Sequence, residues 1–519
     1  METPLSTVMT TLAPRNADVT SWAELEPLLR DRVLPSLRHL LMPPQAAARG
    51  VRAGDRVLVS GFTGAGYPKA VLSALAAHAE WLKSMSLPAL NLELISGASL
   101  GEDVEESLVA SSAISRRIPF QSSRSVRRSI NKGALHYQDV HLSQVTESLR
   151  RGYTRSQVAI IEVAAVEAEG LVLTTSSGAS AQFVDEADAL ILEVNTSVPV
   201  SIRELHDVYR VEPRPFRQPI PISAPSDLVG SHWLPIDLDK VIAITGCTQP
   251  DIVRPLRSEN DAERRMADHL IDFLRREQVQ EMLRVDRMPI EAGIGATSDA
   301  VLKALGHAGL GRFCFYSEVV QDAMVEMLDA GQADVISGTG LTLRPDLLER
   351  VLSHPEEYRG RIILRPQDVS NSAEVIARLG VLALNTAIEA DIYGHVNSSH
   401  PGGSDILNGI GGSGDFARNA GLSVFLLHSL TPDGKHSTVV PMATHVDHTE
   451  HDVDVLITEW GLADLRGTDP VERAVRISEN CAHPDFKQPL RSYLTRAIET
   501  AGGHEPQVPQ QAFSWLETA

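Results

Sequence analysis

Phe313-Cys-Phe-Tyr-Ser-Glu318-Val-Val-Gln-Asp322 decides how this chain is read, because an apolar run ends in a carboxylate where a helical pattern begins. Phe313 to Tyr316 predicts a buried strand, and Val320, Met324, Met327 and Leu328 recur at helical spacing until Gly331. Such a junction belongs to an α/β protein, in which ligands bind beyond the carboxyl ends of parallel strands. Glu318 is therefore the leading candidate for a functional side chain. The free N–H groups and dipole of the expected helix would favour its ionised form, as a nucleophile or base requires. The alternative is an ordinary acidic residue in the first turn of a helix.

The same alternation extends outward in both directions. Arg56-Val-Leu-Val, Val158-Ala-Ile-Ile-Glu162, Ala189-Leu-Ile-Leu-Glu-Val, Lys240-Val-Ile-Ala-Ile, Arg361-Ile-Ile-Leu and Asp454-Val-Leu-Ile-Thr-Glu459 read as buried strands between amphipathic helices. One such helix carries Met266, Leu270, Ile271, Phe273 and Leu274 on its apolar stripe, with Glu263, Arg264, Asp268 and Arg276 opposite. Prolines cluster between residues 212 and 236, where the helical period is lost and a linker or domain crossing is expected. The expected fold is α/β, with two related domains, residues 1–230 and 231–519, built on mainly parallel sheets.

A length of 519 residues exceeds what one hydrophobic core usually serves. Lys and Arg number 47 against 67 Asp and Glu, a net charge of −20 that disfavours nucleic acid and anionic membrane surfaces as partners. Three scattered cysteines, Cys247, Cys314 and Cys481, offer neither a disulfide framework nor a thiolate metal site. No run of about 18 apolar residues occurs, and the amino terminus lacks a basic flank followed by an apolar stretch. A cytoplasmic location is expected.

Glu162, Glu318 and Glu459 all read as acids at strand ends. Gly61-Phe-Thr-Gly64-Ala-Gly66-Tyr-Pro-Lys69 follows a strand, so its bare backbone could approach a phosphate that Lys69 neutralises, although the spacing is not that of a Walker loop. The alternative is a tight strand-to-helix turn. Asn408-Gly409-Ile-Gly411-Gly412-Ser413-Gly414-Asp415 contains the dinucleotide-binding spacing, but the polar turn before it is not the buried strand that fingerprint requires. Its unhindered N–H groups would suit a developing oxyanion, or the segment is a surface loop. His445-Val-Asp447-His448-Thr-Glu-His451-Asp452 gathers imidazoles and carboxylates without a helical His-Glu-x-x-His arrangement, and no metal is expected there. Ser413 with His445 and Asp447 lacks the elbow a serine nucleophile needs.

Together these segments resemble the class I CoA-transferases, a family that includes succinyl-CoA:acetate CoA-transferases and enzymes named acetyl-CoA hydrolases. The resemblance covers nearly the whole chain. It is carried by Tyr316-Ser-Glu-Val-Val-Gln-Asp-Ala-Met324, Ile363-Leu-Arg-Pro-Gln-Asp-Val-Ser-Asn371, Ala387-Ile-Glu-Ala-Asp-Ile-Tyr-Gly394 and Asn408 to Arg418. It continues through Val440-Pro-Met-Ala-Thr-His-Val-Asp-His448 and Thr458-Glu-Trp-Gly-Leu-Ala-Asp-Leu-Arg-Gly467.

The resemblance implies a ping-pong CoA transfer from an acyl-CoA to a small carboxylic acid through a glutamyl-CoA thioester on Glu318, with the active site between the domains. It places an oxyanion hole near Ile294, within Gly293-Ile-Gly295, and near Gly412, and gives Asn371 and Glu459 orienting roles. Gly64, Gly66, Lys69, Gly293, Gly295, Gly411 and Ser413 become candidate contacts to coenzyme A. It implies no cofactor beyond coenzyme A as substrate, and a homodimer. The same site could serve an acyl-CoA hydrolase, and a non-catalytic CoA-binding protein is a further alternative. The chain departs from the family at Ala296, Ile252, Gly402-Gly-Ser404 and Asn385-Thr386, near the expected acyl pocket, with Arg254 close to the position Ile252 occupies.

Overall fold

The computed structural model describes residues 21–150, 157–253, 257, 259–280, 283 and 288–514; Arg254 lies outside them. The apolar runs become strands whose residues are buried on both faces, which requires helices on both sides of each sheet. The first sheet contains β1 (Arg56–Val59), β2 (Leu92–Ser96), β3 (Ile114–Ile118), β4 (His136–Tyr137), β5 (Gln157–Val166), β6 (Leu171–Leu173), β7 (Ala189–Asn195) and β8 (Val241–Cys247). The chain continues with β9 (Ile290–Ala292), β10 (Phe313–Tyr316), β11 (Val319–Val320), β12 (Ala333–Gly338), β13 (Gly340–Leu341), β14 (Ile362–Leu364) and β15 (Leu382–Thr386). The last strands are β16 (Glu389–Asp391), β17 (Val396–Asn397), β18 (Leu422–Leu426), β19 (Val439–Val440), β20 (Val455–Thr458) and β21 (Gly461–Asp464).

The two large sheets share one winding. The first runs β4-β3-β2-β1-β5-β7-β8, with β6 antiparallel on β5; the second runs β14-β12-β10-β9-β15-β18-β20-β21, antiparallel only at β20 and β21. In each, the earliest strand is central, the next three step outward on one side, and the chain then returns to fill the other side. The reversal falls between β1 and β5 in the first sheet and between β9 and β15 in the second. Ligand crevices form beyond the carboxyl ends of strands at such switch points. The loops there are Gly61 to Lys69 and Gly293 to Gly295.

The helix Asp261–Val279 buries Met266, Leu270, Ile271, Phe273 and Leu274 as expected. Glu263, read on its polar face, is instead buried. It completes a capping box with Asn260, each side chain accepting from the other's backbone N–H at 3.0 and 2.9 Å.

The proline-rich segment runs from residues packed beside the second sheet back to the first. Val211, Ile220 and Ile222 pack with Tyr316, Val369 and Val375 of the second domain, after which Leu234 pairs with Leu171 beside the first sheet. The first sheet then takes its last strand from Val241–Cys247, beyond the 230/231 division, because that apolar run covers the open edge of β7. The domains meet through backbone bonds from Ser177 N–H to the Thr339 carbonyl and from Leu341 N–H to the Thr175 carbonyl, both 2.8 Å. Among the described residues no helix is long and apolar enough to cross a membrane.

Candidate active site

Glu318 follows β10 by two residues, just before β11, which pairs with β13. Its backbone is fixed on both sides. Ser317 N–H donates to the Ser337 carbonyl at 2.9 Å, and Thr339 N–H donates to the Glu318 carbonyl at 2.7 Å. The helix that follows is Asp322–Asp329, so Glu318 lies ahead of its first turn and the expected help from that helix dipole is absent. The apolar spacing from Val320 onward was right for a helix, but Val319 and Val320 are drawn into strand pairing instead.

The Asn371 side chain and the Gly412 backbone meet the Glu318 carboxyl. Asn371 Nδ2 donates to Oε1 at 2.5 Å; the same amide lies 3.3 Å from Asp415 Oδ2. Asp415 in turn accepts from Ser143 N–H at 3.0 Å and Ser143 Oγ at 2.6 Å. The backbone of Gly412 comes so close that a Cβ there would fall 1.1 Å from Glu318 Oε1. Only glycine permits that approach.

Burial pushes the Glu318 carboxyl up to about 8; the Asp415 carboxylate adds to the rise, and the Asn371 hydrogen bond opposes it. The sequence reading favoured the ionised form, and the local field instead favours the neutral one. A carboxylate formed here is correspondingly basic and poorly solvated, which suits attack on a carbonyl carbon. A second acid that the sequence reading missed lies behind it. Glu291, in β9, is buried, and burial followed by Glu318 holds its carboxyl well above the usual range. Asn385 Nδ2 approaches it at 3.4 Å. The signal was a charged residue inside an otherwise apolar strand, Ile290-Glu-Ala292.

The loop Gly293 to Gly295 is held beside Glu318 by Gln321, whose Nε2 donates to the carbonyls of Ala292 at 2.9 Å and Gly293 at 3.2 Å. Gly295 has φ +148°, the left-handed side that favours glycine, and precedes the helix Ala296–His307. The Ile294 side chain projects outward, 40% exposed. Gly411 has φ +60° and lets the loop turn toward Gly412.

Other candidates are placed differently. Lys69 is 1% exposed, its ammonium held by Glu162 at 2.7 Å and Asp251 at 2.8 Å, so it is not free to meet a phosphate. Glu162 accordingly sits within β5 as a partner of Lys69, with Thr174 and Asn195 also donating to it. Gly66 N–H donates to Asp251, and a Cβ at Gly66 would fall 2.5 Å from Ser176 Oγ. Gly64 lies near the Ile252 carbonyl, with Ile252 itself 62% exposed. Thr63 Oγ1 and Thr342 Oγ1 are 2.6 Å apart, which ties this loop to the segment after β13.

Glu459 accepts from Ser429 N–H at 3.0 Å and from the Ser429 hydroxyl. Ser413 Oγ donates to the Ile410 carbonyl and lies 3.2 Å from His448 Nε2, not beside His445. His445 is 3.2 Å from Asp447 and is joined by His400, ring centroids 4.0 Å apart.

Comparison with known proteins agrees with this architecture. Residues 36–244 match the acetyl-CoA hydrolase/transferase N-terminal domain and residues 349–494 the corresponding C-terminal domain. The chain is 39% identical over 481 residues to the succinyl-CoA:acetate CoA-transferase of Clostridium kluyveri, covering 92% of this chain and 89% of that one. It is 40% identical over 492 residues to an acetyl-CoA hydrolase of Schizosaccharomyces pombe, covering 92% and 94%. In fold it is similar to RipA from Yersinia pestis, at 21% identity and a TM-score of 0.67 over 90% of this chain and 98% of that one. The 4-hydroxybutyrate CoA-transferase of Porphyromonas gingivalis aligns at 20% identity and a TM-score of 0.57 over 92% and 100%. The chain is an enzyme of the acetyl-CoA hydrolase/transferase family.

Proposed function

We propose that this enzyme moves CoA from an acyl-CoA of the acetyl, propionyl or succinyl type to a free carboxylic acid, with Glu318 as nucleophile. The Glu318 carboxylate attacks the thioester carbonyl; the tetrahedral intermediate expels CoA thiolate and leaves a mixed anhydride. The thiolate then attacks the glutamyl carbonyl and expels the first acid, forming a glutamyl-CoA thioester. An incoming carboxylate takes the CoA by the reverse steps. Backbone N–H groups around Ile294 and Gly412 would receive the oxyanions, and Asn371 holds the nucleophile in line.

The observation that carries this reading is the contact of the Glu318 carboxyl with Asn371 and the bare backbone of Gly412. It is tested by incubating the enzyme with an acyl-CoA, trapping with hydroxylamine or borohydride, and mapping the modified peptide by mass spectrometry. Modification at Glu318 supports the covalent route. Rapid acyl-CoA consumption with Glu318 unmodified would mean direct hydrolysis and would remove the glutamate from the nucleophile role.

A further inference from the structure

Apart from the catalytic cleft, the structure gathers unpaired positive charge in one place. The helix Arg124–Asn131 reads Arg-Ser-Val-Arg-Arg-Ser-Ile-Asn, followed by Lys132. Val126 alone of its residues is fully buried, so the arginines are turned toward the surface around a cavity of about 390 Å³ lined by Arg124, Arg127, Arg128, Asn131, Lys132 and Asp405. In a chain of net charge −20, four cations against one carboxylate on a single concave wall invert the general field. None of the four cations forms an ion pair among the described residues, whereas most other arginines of the surface do. Arg127 Nε is buried without a hydrogen-bond partner. Burial, then neighbouring Arg124, lower the Arg127 guanidinium, and Glu102 opposes them.

This wall is coupled to the active-site loop. Asn131 Nδ2 donates to the Ile406 carbonyl at 3.1 Å, and Ile406 N–H donates back to Asn131 Oδ1 at 3.0 Å. Gln121 Nε2 donates to the Leu407 carbonyl at 3.2 Å and Tyr137 Oη to the Asn408 carbonyl at 2.8 Å. Four residues beyond Asn408, the same loop presents Gly412 to Glu318.

We propose that the cavity of Arg124, Arg127, Arg128 and Lys132 binds the phosphates of a phosphorylated nucleoside. Guanidinium forks match phosphate oxygens in pairs, and four of these side chains answer more than one phosphate group. The open cavity accepts a group presented from solution. Two sources carry this chemistry: the 3′-phospho-ADP end of CoA, which rests on the CoA-transferase reading above, and a free nucleoside di- or triphosphate, which does not. In either case the occupant bears on the loop that ends at Gly412.

The test is calorimetric binding of 3′,5′-adenosine bisphosphate, ADP, CoA and dephospho-CoA to the full-length enzyme and to Arg124→Gln/Arg128→Gln, two exposed positions whose exchange leaves the core intact. If CoA is the source, the double variant binds CoA and the bisphosphate at least about tenfold more weakly, while dephospho-CoA, already lacking the 3′-phosphate, loses less. If a free nucleotide is the source, ADP binding weakens by that factor and CoA keeps its affinity. Affinities for all four ligands that are equal in wild type and double variant overturn the proposal. Failure of the transferase reading shows separately, as absence of CoA transfer by wild type, and leaves the nucleotide titrations interpretable.

Discussion

Asn371 Nδ2 donates to Glu318 Oε1 at 2.5 Å, and this hydrogen bond is what opposes the effect of burial on the carboxyl. Because the bond favours the charged form, its loss raises the Glu318 pKa further from about 8. An Asn371→Ala enzyme should therefore show its acid limb of kcat/KM displaced upward by about one pH unit, the equivalent of one hydrogen bond to a charged group. Asn371→Asp, which adds a like charge, should displace it further. A pH–rate profile unmoved in both variants would show that the limb belongs to another group.

Gly412 is restricted by Glu318 itself. A methyl group placed 1.1 Å from Oε1 forces the carboxyl out of its contact with Asn371. The glycine has φ −100°, which alanine adopts without strain, so the fold should survive. Gly412→Ala should thus keep a wild-type melting temperature and lose about a hundredfold in turnover, the scale of an ångström misplacement at a reacting atom. Wild-type turnover would show that the carboxyl reacts from another position.

Lys69 separates a structural role from a phosphate-binding one. Its ammonium lies among Glu162, Asp251 and the Tyr67 carbonyl with almost no exposure. Lys69→Met leaves two buried carboxylates without their cation, a loss expected to cost about 3–5 kcal/mol. Urea unfolding should reveal it as a large fall in midpoint. A variant of unchanged stability but weaker CoA affinity would return Lys69 to the role first read from its sequence.

The strands and the mainly parallel sheets were readable because parallel-sheet strands are unbroken apolar runs, as in Leu190-Ile-Leu192 and Leu456-Ile457. Glu318 was found from its place after such a run. What surrounds it was not readable by pattern. Ser143 donates to Asp415 across 272 residues of chain, and Asp415 in turn meets the Asn371 amide; no local periodicity encodes that. The engagement of Lys69 was not readable for the same reason: Glu162 in β5 and Asp251, beyond the end of β8, reach its ammonium only in the folded chain. The helix after Glu318 was placed too early because the pairing of Val319–Val320 with Gly340–Leu341 overrides local helical preference.

Glu291 gives the sharpest electrostatic prediction. It is 2% exposed, its side chain meets Asn385 at 3.4 Å, and burial followed by Glu318 holds its carboxyl well above 4.5. In the unfolded chain the same group ionises near its ordinary value of about 4.3. Between those two pH values the folded state keeps a proton that the unfolded state has released, so stability falls as pH rises. Glutamine has the shape of the neutral acid and no proton to lose. The stability of wild type relative to Glu291→Gln should therefore decline, by up to about 1.4 kcal/mol per pH unit, as pH rises above roughly pH 5. Urea titrations at half-unit steps from pH 5 to 9 measure that difference directly. Parallel stability curves would mean that folding does not raise the Glu291 carboxyl above its ordinary range.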